Sequence, residues 1–209
     1  DRLFPEETQT SKKMQRYRQE YLSPLREHIE ITERHMSINL WGAIKYDKVP
    51  SVCMKRNNKS FMKHDAERYQ KYLDSIKSGE KKMKTNGILP HELVKYYLDD
   101  NEYNETIELQ WKAILDNVKA QGVLDNMIAI VDASGSMYSG PGNVAPIYPA
   151  IALGLLIAKC VQGPFANKVI AFSETPSIFE VYGDSLYDQV KHIREKLPVG
   201  MSTNFEAVF

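Results

Sequence analysis

The 209-residue chain is predicted to be a mixed α/β protein, with a helical region followed by an open α/β sheet. Two observations support this fold class. Up to about residue 120, apolar residues recur at the three-to-four spacing of helices, with few runs of β-branched residues. Beyond that point, continuous apolar runs typical of strands buried on both faces alternate with helical patterns, which favours a sheet built from βαβ units.

The helical region is assigned to residues 1–122. Helices are expected over residues 11–22, 24–40, 60–77, 90–98 and 104–121. Ser23 is expected to be the N-cap of the second helix, with Pro24 in its first turn. The Val49-Pro50 pair interrupts the helical pattern and predicts an extended turn, because a residue before proline avoids the helical conformation.

The sheet region is assigned to residues 123–209, where the period of the apolar pattern changes. Strands are expected over residues 127–131, 168–172 and 177–182, with helices over residues 150–161 and 186–197. This domain is expected to be incomplete at its C-terminal end, because the chain stops at Phe209 inside an apolar helical pattern. In such sheets, ligands bind where loops leave the carboxyl ends of the strands.

The composition argues against a membrane protein. Mean hydropathy is −0.43, and the longest apolar run, Ala150 to Ala158, is about half the length that a membrane span needs. The two cysteines, Cys53 and Cys160, cannot build a disulfide framework or a four-cysteine zinc site, and they are expected to be buried thiols. A reducing, cytoplasmic location is therefore expected.

The most informative stretch directly follows the first predicted strand. Asp132, Ser134 and Ser136 place a carboxylate and two hydroxyls at alternate positions of a turn that contains glycine. These hard oxygen donors suit Mg²⁺, or else Ca²⁺ or Mn²⁺. Thr203 could add a third hydroxyl from the later loop. The alternative is structural: Asp132 caps a turn, the serines bond backbone amides, and Ser202 or Thr203 caps the next helix.

The loop and Thr203, in this order, resemble the von Willebrand factor A-type domain. In that family an Asp-x-Ser-x-Ser loop, a later Thr and a distal Asp hold Mg²⁺ at the metal-ion-dependent adhesion site. The resemblance implies that Asp132, Ser134, Ser136 and Thr203 are ligands, whereas the distal Asp has no counterpart before Phe209.

Several longer segments of the sequence resemble a family of unknown function found in plants and large DNA viruses. In the second half of the chain these segments are Val131 to Met137, Ile151 to Ala158, Phe172 to Pro176 and Gly200 to Phe205. In the first half they are Ser23 to Arg26, Val49 to Ser51 and Leu89 to Glu92. The family's layout of helices followed by an A-type domain is similar to that of the Ro autoantigen, a ring-shaped RNA-binding protein.

The resemblance implies a non-enzymatic, cation-dependent protein-binding module. An acidic side chain of a protein partner would complete the coordination of the Mg²⁺. A phosphatase with Asp132 as nucleophile is the enzymatic alternative, but its general acid would have to be a second Asp at the position that Ser134 occupies. The chain is therefore expected not to be an enzyme.

An RNA-binding scaffold is the second expected function. The chain has zero net charge, but residues 45–84 hold 12 basic and 5 acidic side chains, a local excess of +7. The candidate nucleic-acid contacts are Lys55, Arg56, Lys59, Lys81, Lys82 and Lys84. Solvated helix faces would give the same composition. A structural or virion-associated protein is a third possibility.

Overall fold

A computed structural model of the chain confirms the mixed α/β class. It describes residues 3–100, 102–122, 124–140, 144–172, 174–197, 204 and 206–208. Within these ranges the chain separates into two compact units. The first contains residues up to Val49 together with Arg56–Tyr72, and the second contains Pro50–Lys55 and the chain from Leu73 onward.

Helices and short turns build the first unit. Its elements are α1 (Thr10–Tyr17), a π-helical turn (Arg18–Leu22), α2 (Ser23–His28), α3 (Thr32–Ser37) and the unit's parts of α4 (Ser51–His64) and α5 (Ala66–Lys77). An aromatic cluster of Tyr46, Phe61 and Tyr69 forms its core, with ring centroids 5.0 to 5.4 Å apart. The side chains of Phe61 and Tyr69 are almost wholly buried.

Two helices predicted in this part of the chain have different bounds in the structure. The helix expected over residues 24–40 is broken between α2 and α3, where Glu30 adopts a left-handed conformation with φ of 49°. The helix expected to begin at residue 60 begins at Ser51, directly after Pro50, and a second helix starts at Ala66. Val49 is extended, as the following proline predicted.

Ser23 is not an N-cap, which corrects the prediction for that residue. Leu22 and Ser23 have helical backbone angles, and the chain continues from the π-helical turn into α2 without a cap. Pro24 explains the π-helical turn, because proline has no N–H to donate to the carbonyl four residues earlier.

The second unit combines four further helices with short strands. The helices are α6 (Pro90–Asp99), α7 (Glu105–Ala120), α8 (Ile147–Cys160) and α9 (Leu186–Lys196), and the strands are β1 (Leu124–Asp125), β2 (Ala129–Asp132), β3 (Val161–Gln162), β4 (Lys168–Phe172) and β5 (Ser177–Glu180). Strand β4 pairs in parallel with β2 and antiparallel with β5, in the order β2-β4-β5. Strands β1 and β3 form a separate parallel pair.

The core of the second unit joins the strands to these helices. Val131 and Val169 face α8, and Gly154 of α8 lies so close to β2 that a Cβ there would be 2.5 Å from Cγ2 of Val131. The expectation that β2 is buried on both faces is wrong: Ile130 is 45% exposed, whereas Val131 is buried. The helix therefore covers one face of this strand.

Two sequence expectations concern the chain as a whole. Both cysteines are free and buried, as predicted. Within the described ranges, none of the helices has the length and apolar character that crossing a membrane requires.

Candidate functional site

Strand β2 delivers Asp132 to the edge of the sheet where the predicted site lies. Asp132 is its last residue, in register with Phe172 at the end of the parallel strand β4. The carboxyl ends of the two strands therefore meet at one edge, as in other parallel sheets. Val131 is buried under α8, which fixes the residue immediately before Asp132.

The turn after β2 brings the two predicted serines together. The backbone N–H of Ser134 donates a hydrogen bond to Oδ1 of Asp132 at 2.8 Å. Ser134 is buried and Ser136 is exposed, and their hydroxyl oxygens are 3.1 Å apart in a hydrogen bond. Residues Gly135–Tyr138 form a 3₁₀ turn that holds this arrangement.

Thr203, the fourth predicted ligand, lies outside the described residues. The described part of the site thus contains one carboxylate and two hydroxyls. Over the same part of the chain, no three or more His, Cys, Asp or Glu side chains are grouped closely enough to hold a metal ion. Of the four predicted ligands, the described residues thus supply one charged group, Asp132, and two neutral hydroxyls.

The predicted nucleic-acid contacts fall in both units. Lys55 lies in the second unit, where its Nζ is 3.3 Å from the carboxylate of Glu92. Arg56 and Lys59 are exposed on α4 in the first unit. The remaining three predicted contacts are exposed, follow α5 and belong to the second unit: Lys81, Lys82 and Lys84.

A half-buried carboxylate in the second unit has a role that sequence reasoning missed. Glu108 of α7 accepts hydrogen bonds from the backbone N–H groups of Leu186 and Tyr187, at 2.8 and 2.9 Å, and so ties α7 to the first turn of α9. Burial raises the pKa of Glu108, and the hydrogen bonds to its ionised form oppose that shift. The sequence carried no signal for a bond across 78 residues.

A cavity in the second unit was also missed. Its walls come from α6, α8 and α9 and from the turn that carries the serines; they include Tyr138, Ile147, Ile151, Ile193 and Arg194. Tyr138 is two residues after Ser136, and this closeness along the chain was the only available signal. The other walls are brought together by tertiary packing.

Fold and loop together define a mixed α/β protein with a hydroxyl-rich loop at the carboxyl end of a parallel strand. The chain belongs to the family described as Domain of unknown function (DUF2828), whose model matches residues 3–124. Residues 126–209 match the model of Domain of unknown function (DUF7788).

A viral relative supports the predicted resemblance. The chain is 37% identical over 201 residues to an uncharacterised protein of Acanthamoeba polyphaga mimivirus, covering 90% of this chain and 34% of that protein. The chain thus spans about a third of that relative's length. No solved structure matches the chain. Similarity to families of unknown function, with a relative in a large DNA virus, is confirmed.

Proposed function

We propose that the chain contains a non-enzymatic, divalent-cation-dependent protein-binding module. Asp132, Ser134 and Ser136 would hold Mg²⁺, with Thr203 as a further ligand, and an acidic side chain of a partner protein would complete the coordination. The observation that carries the proposal is the 3.1 Å separation of the two serine hydroxyls beside a strand-terminal carboxylate.

This separation suits an octahedral magnesium ion. Neighbouring oxygen ligands about 2.0–2.1 Å from Mg²⁺ at right angles are about 2.9 Å apart. The bond from the Ser134 N–H fixes one carboxylate oxygen of Asp132, and within the described ranges Oδ2 of Asp132 forms no hydrogen bond. The donor set therefore consists of hard oxygen atoms, which suit Mg²⁺, or else Ca²⁺ or Mn²⁺.

The small number of charges explains why an acidic partner is expected. One carboxylate neutralises half the charge of a divalent cation, so the bound ion would present a local positive charge. Mg²⁺ commonly keeps several water ligands in protein sites, and one such position is available to a partner's Asp or Glu. Neutral side chains of a partner would gain less binding free energy at this position.

The arrangement of the strands supports the resemblance to an A-type domain. Strands β2 and β4 are parallel and are connected through α8, and β5 is antiparallel at the edge. The A-type assignment of residues 123–209 and the domain boundary at residue 122 remain proposals.

Calorimetric titration with Mg²⁺ and Mn²⁺ tests the site. Asp132→Ala should abolish binding, because it removes the charged ligand, and Ser136→Ala should weaken binding. Asp125→Ala, at an exposed position of β1, is the matched control and should bind as the wild type does. Unchanged affinity in Asp132→Ala, or capture of protein partners that EDTA leaves unaffected, would contradict the proposal.

Single-stranded RNA binding is a second candidate function, supported by one face of α4. This helix has four basic residues and no acidic one. Arg56, Lys59 and Lys63 follow the three-to-four spacing that places side chains on one helix face about 5–6 Å apart, close to the spacing of successive phosphates. All three side chains are exposed.

An aromatic stack lies at the end of the same helix. The rings of Trp41 and His64 are nearly parallel, with centroids 4.4 Å apart, and His64 is exposed. An unpaired base could extend this stack, since RNA-binding proteins use histidine and tryptophan in this way. The stack and the basic face both belong to the first unit.

The RNA candidate is tested by the salt dependence of oligonucleotide binding. A single-stranded RNA should lose affinity steeply with salt, and the double variant Arg56→Glu/Lys63→Glu should reduce the slope by about 1.4, at about 0.7 per lost phosphate contact. Lys112→Glu, exposed on α7, is the control. An unchanged slope in the double variant would exclude this surface.

A further inference from the structure

A larger cavity of the second unit, of about 540 Å³, opens between α7 and the first turn of α9. One face of α7 and the segment from Gly183 to Leu186 form most of its lining, and Lys159 of α8 completes it. Leu109, Trp111 and Leu115 of α7 give the cavity an apolar wall. Its volume lies within the range of about 300–1,000 Å³ that is usual for small-molecule sites. The cavity therefore combines an apolar wall with a lysine amine.

Two polar atoms of lining residues have no hydrogen-bond partner among the residues that the structure describes. They are Nε1 of Trp111 and Oε1 of Gln189, and the two side chains are 3% and 4% exposed. A buried donor or acceptor without a partner destabilises a protein, so such a group indicates an ordered water or a ligand. A small polar occupant of the cavity would account for both atoms.

Lys159 is partly buried, and its amine is held in place at the cavity. Nζ of Lys159 donates a hydrogen bond to Oδ1 of Asn167 at 2.7 Å. Asn167 is itself fixed by two backbone hydrogen bonds of 2.8 Å, one donated to the carbonyl of Ala158 and one accepted from the N–H of Val181. A neutral amine keeps N–H groups for the bond to Asn167 and also has a lone pair. The contact is therefore compatible with a nucleophilic amine.

The surroundings of Lys159 favour its neutral form. Burial lowers the pKa of Lys159 below its ordinary 10.5, the carboxylate of Asp184 opposes this shift, and the ammonium of Lys119 adds to it. The other charged residues that line the cavity are Glu108, Lys112 and Asp116. A lysine that is partly desolvated and lies near a second cation has a larger neutral fraction near pH 7, which makes its amine a better nucleophile.

We propose that Lys159 is a covalent binding site for small aldehydes that enter this cavity. The lone pair of the neutral amine adds to the carbonyl carbon and gives a carbinolamine, which loses water to form an imine. Amine and aldehyde thus become imine and water, and the step needs no oxidant or reductant. Aldehydes suit a partly buried amine because their carbonyl carbon is less hindered than that of a ketone. This site is independent of the proposed cation site.

Reductive labelling of the whole chain with propionaldehyde and cyanoborohydride tests the proposal. The hydride reduces each imine to a stable secondary amine, so mass spectrometry of the peptides gives a labelling rate for each lysine. At pH 8, Lys159 should be labelled about threefold or more faster than Lys191, although Lys191 is exposed on α9 and Lys159 is partly buried. The rate at Lys159 should also level off below pH 10.5, the ordinary pKa of a lysine.

Substitutions of the two charged neighbours should change this rate in opposite directions. Lys119→Gln removes a repelling cation and should slow the labelling of Lys159 severalfold, whereas Asp184→Asn removes an attracting carboxylate and should accelerate it severalfold. Both positions are exposed, so neither variant endangers folding. Lys112→Gln, at another exposed position of the same cavity, is the matched control and should leave the rate unchanged.

Fluorescence gives a second reading of the same event. In a Trp41→Phe background, Trp111 is the remaining tryptophan and lines the cavity, so its emission should change on labelling and should not change in Lys159→Arg. Labelling of Lys159 no faster than that of Lys191 would overturn the proposal. A rate at Lys159 that still rises above pH 10.5, or that Lys119→Gln and Asp184→Asn both leave unchanged, would overturn it as well.

Discussion

Replacing Gly154 by alanine should lower the stability of the second unit, although the same replacement usually stabilises an exposed helix. Replacing glycine by alanine inside an exposed helix stabilises it by about 1 kcal/mol. In α8, however, the new Cβ would lie 2.5 Å from Cγ2 of Val131, which is well inside van der Waals contact. Overpacking of this kind costs about 1–3 kcal/mol. Gly154→Ala should therefore destabilise the second unit by up to about 2 kcal/mol.

The close contact involves one methyl group, which makes the reasoning easy to test. The other atoms near the added Cβ, Cγ1 of Val169 and Cβ of Val131, are at 3.7 and 3.9 Å, which are ordinary contacts. Truncating the valine should remove the clash. In a Val131→Ala background, Gly154→Ala should stabilise by about 1 kcal/mol, so the two substitutions should be coupled by about 1–3 kcal/mol.

Urea unfolding measures this coupling in the second unit. The chain has two tryptophans, so a Trp41→Phe background leaves Trp111, a core residue of that unit, as the fluorescent reporter. Leu153→Ala is a control at an exposed position of α8 and should change stability by less than about 0.5 kcal/mol. Equal stabilisation by Gly154→Ala in both backgrounds would refute the close packing of α8 on β2.

Three further predictions concern single contacts. Asn104→Ala should lower the free energy of unfolding by about 1–2 kcal/mol, because the Asn104 side chain accepts hydrogen bonds from two N–H groups at the start of α7. Asn117→Ala removes an exposed hydrogen bond of 3.3 Å and should be almost neutral in the same urea titration. Burial raises the pKa of Glu108 above its ordinary 4.5. As pH rises from about 4.5 through the folded-state pKa, the wild type should therefore lose stability relative to Glu108→Gln. A stability difference between the two proteins that does not depend on pH would contradict this. Arg68→Lys should lower the melting temperature of the first unit, because a lysine cannot bond the carbonyl groups of Trp41 and Ile44 together as the guanidinium does, and an unchanged melting curve would show that these bonds contribute little.

Local patterns explain which elements could be predicted. Strand β4 has the predicted bounds, and α6, α7 and α9 lie within about a residue of theirs, because apolar periodicity and end signals are properties of neighbouring residues. The break after α2 was missed because it depends on Glu30 in a left-handed conformation, which favours glycine and asparagine. The comparable turn after α3 has Asn39 at that position, a residue that tolerates it.

In the candidate site, too, the features set by neighbouring residues could be predicted, whereas those set by tertiary packing could not. Asp132, Ser134 and Ser136 could be placed in one short turn after a strand from the sequence alone, because their proximity is a consequence of chain connectivity. Tertiary packing accounts for the exposure of Ile130, for the hydrogen bonds that Glu108 accepts at the start of α9, and for the cavity beside Tyr138. These features depend on which surfaces pack across tens of residues, and periodicity reports that a face is apolar without reporting what covers it.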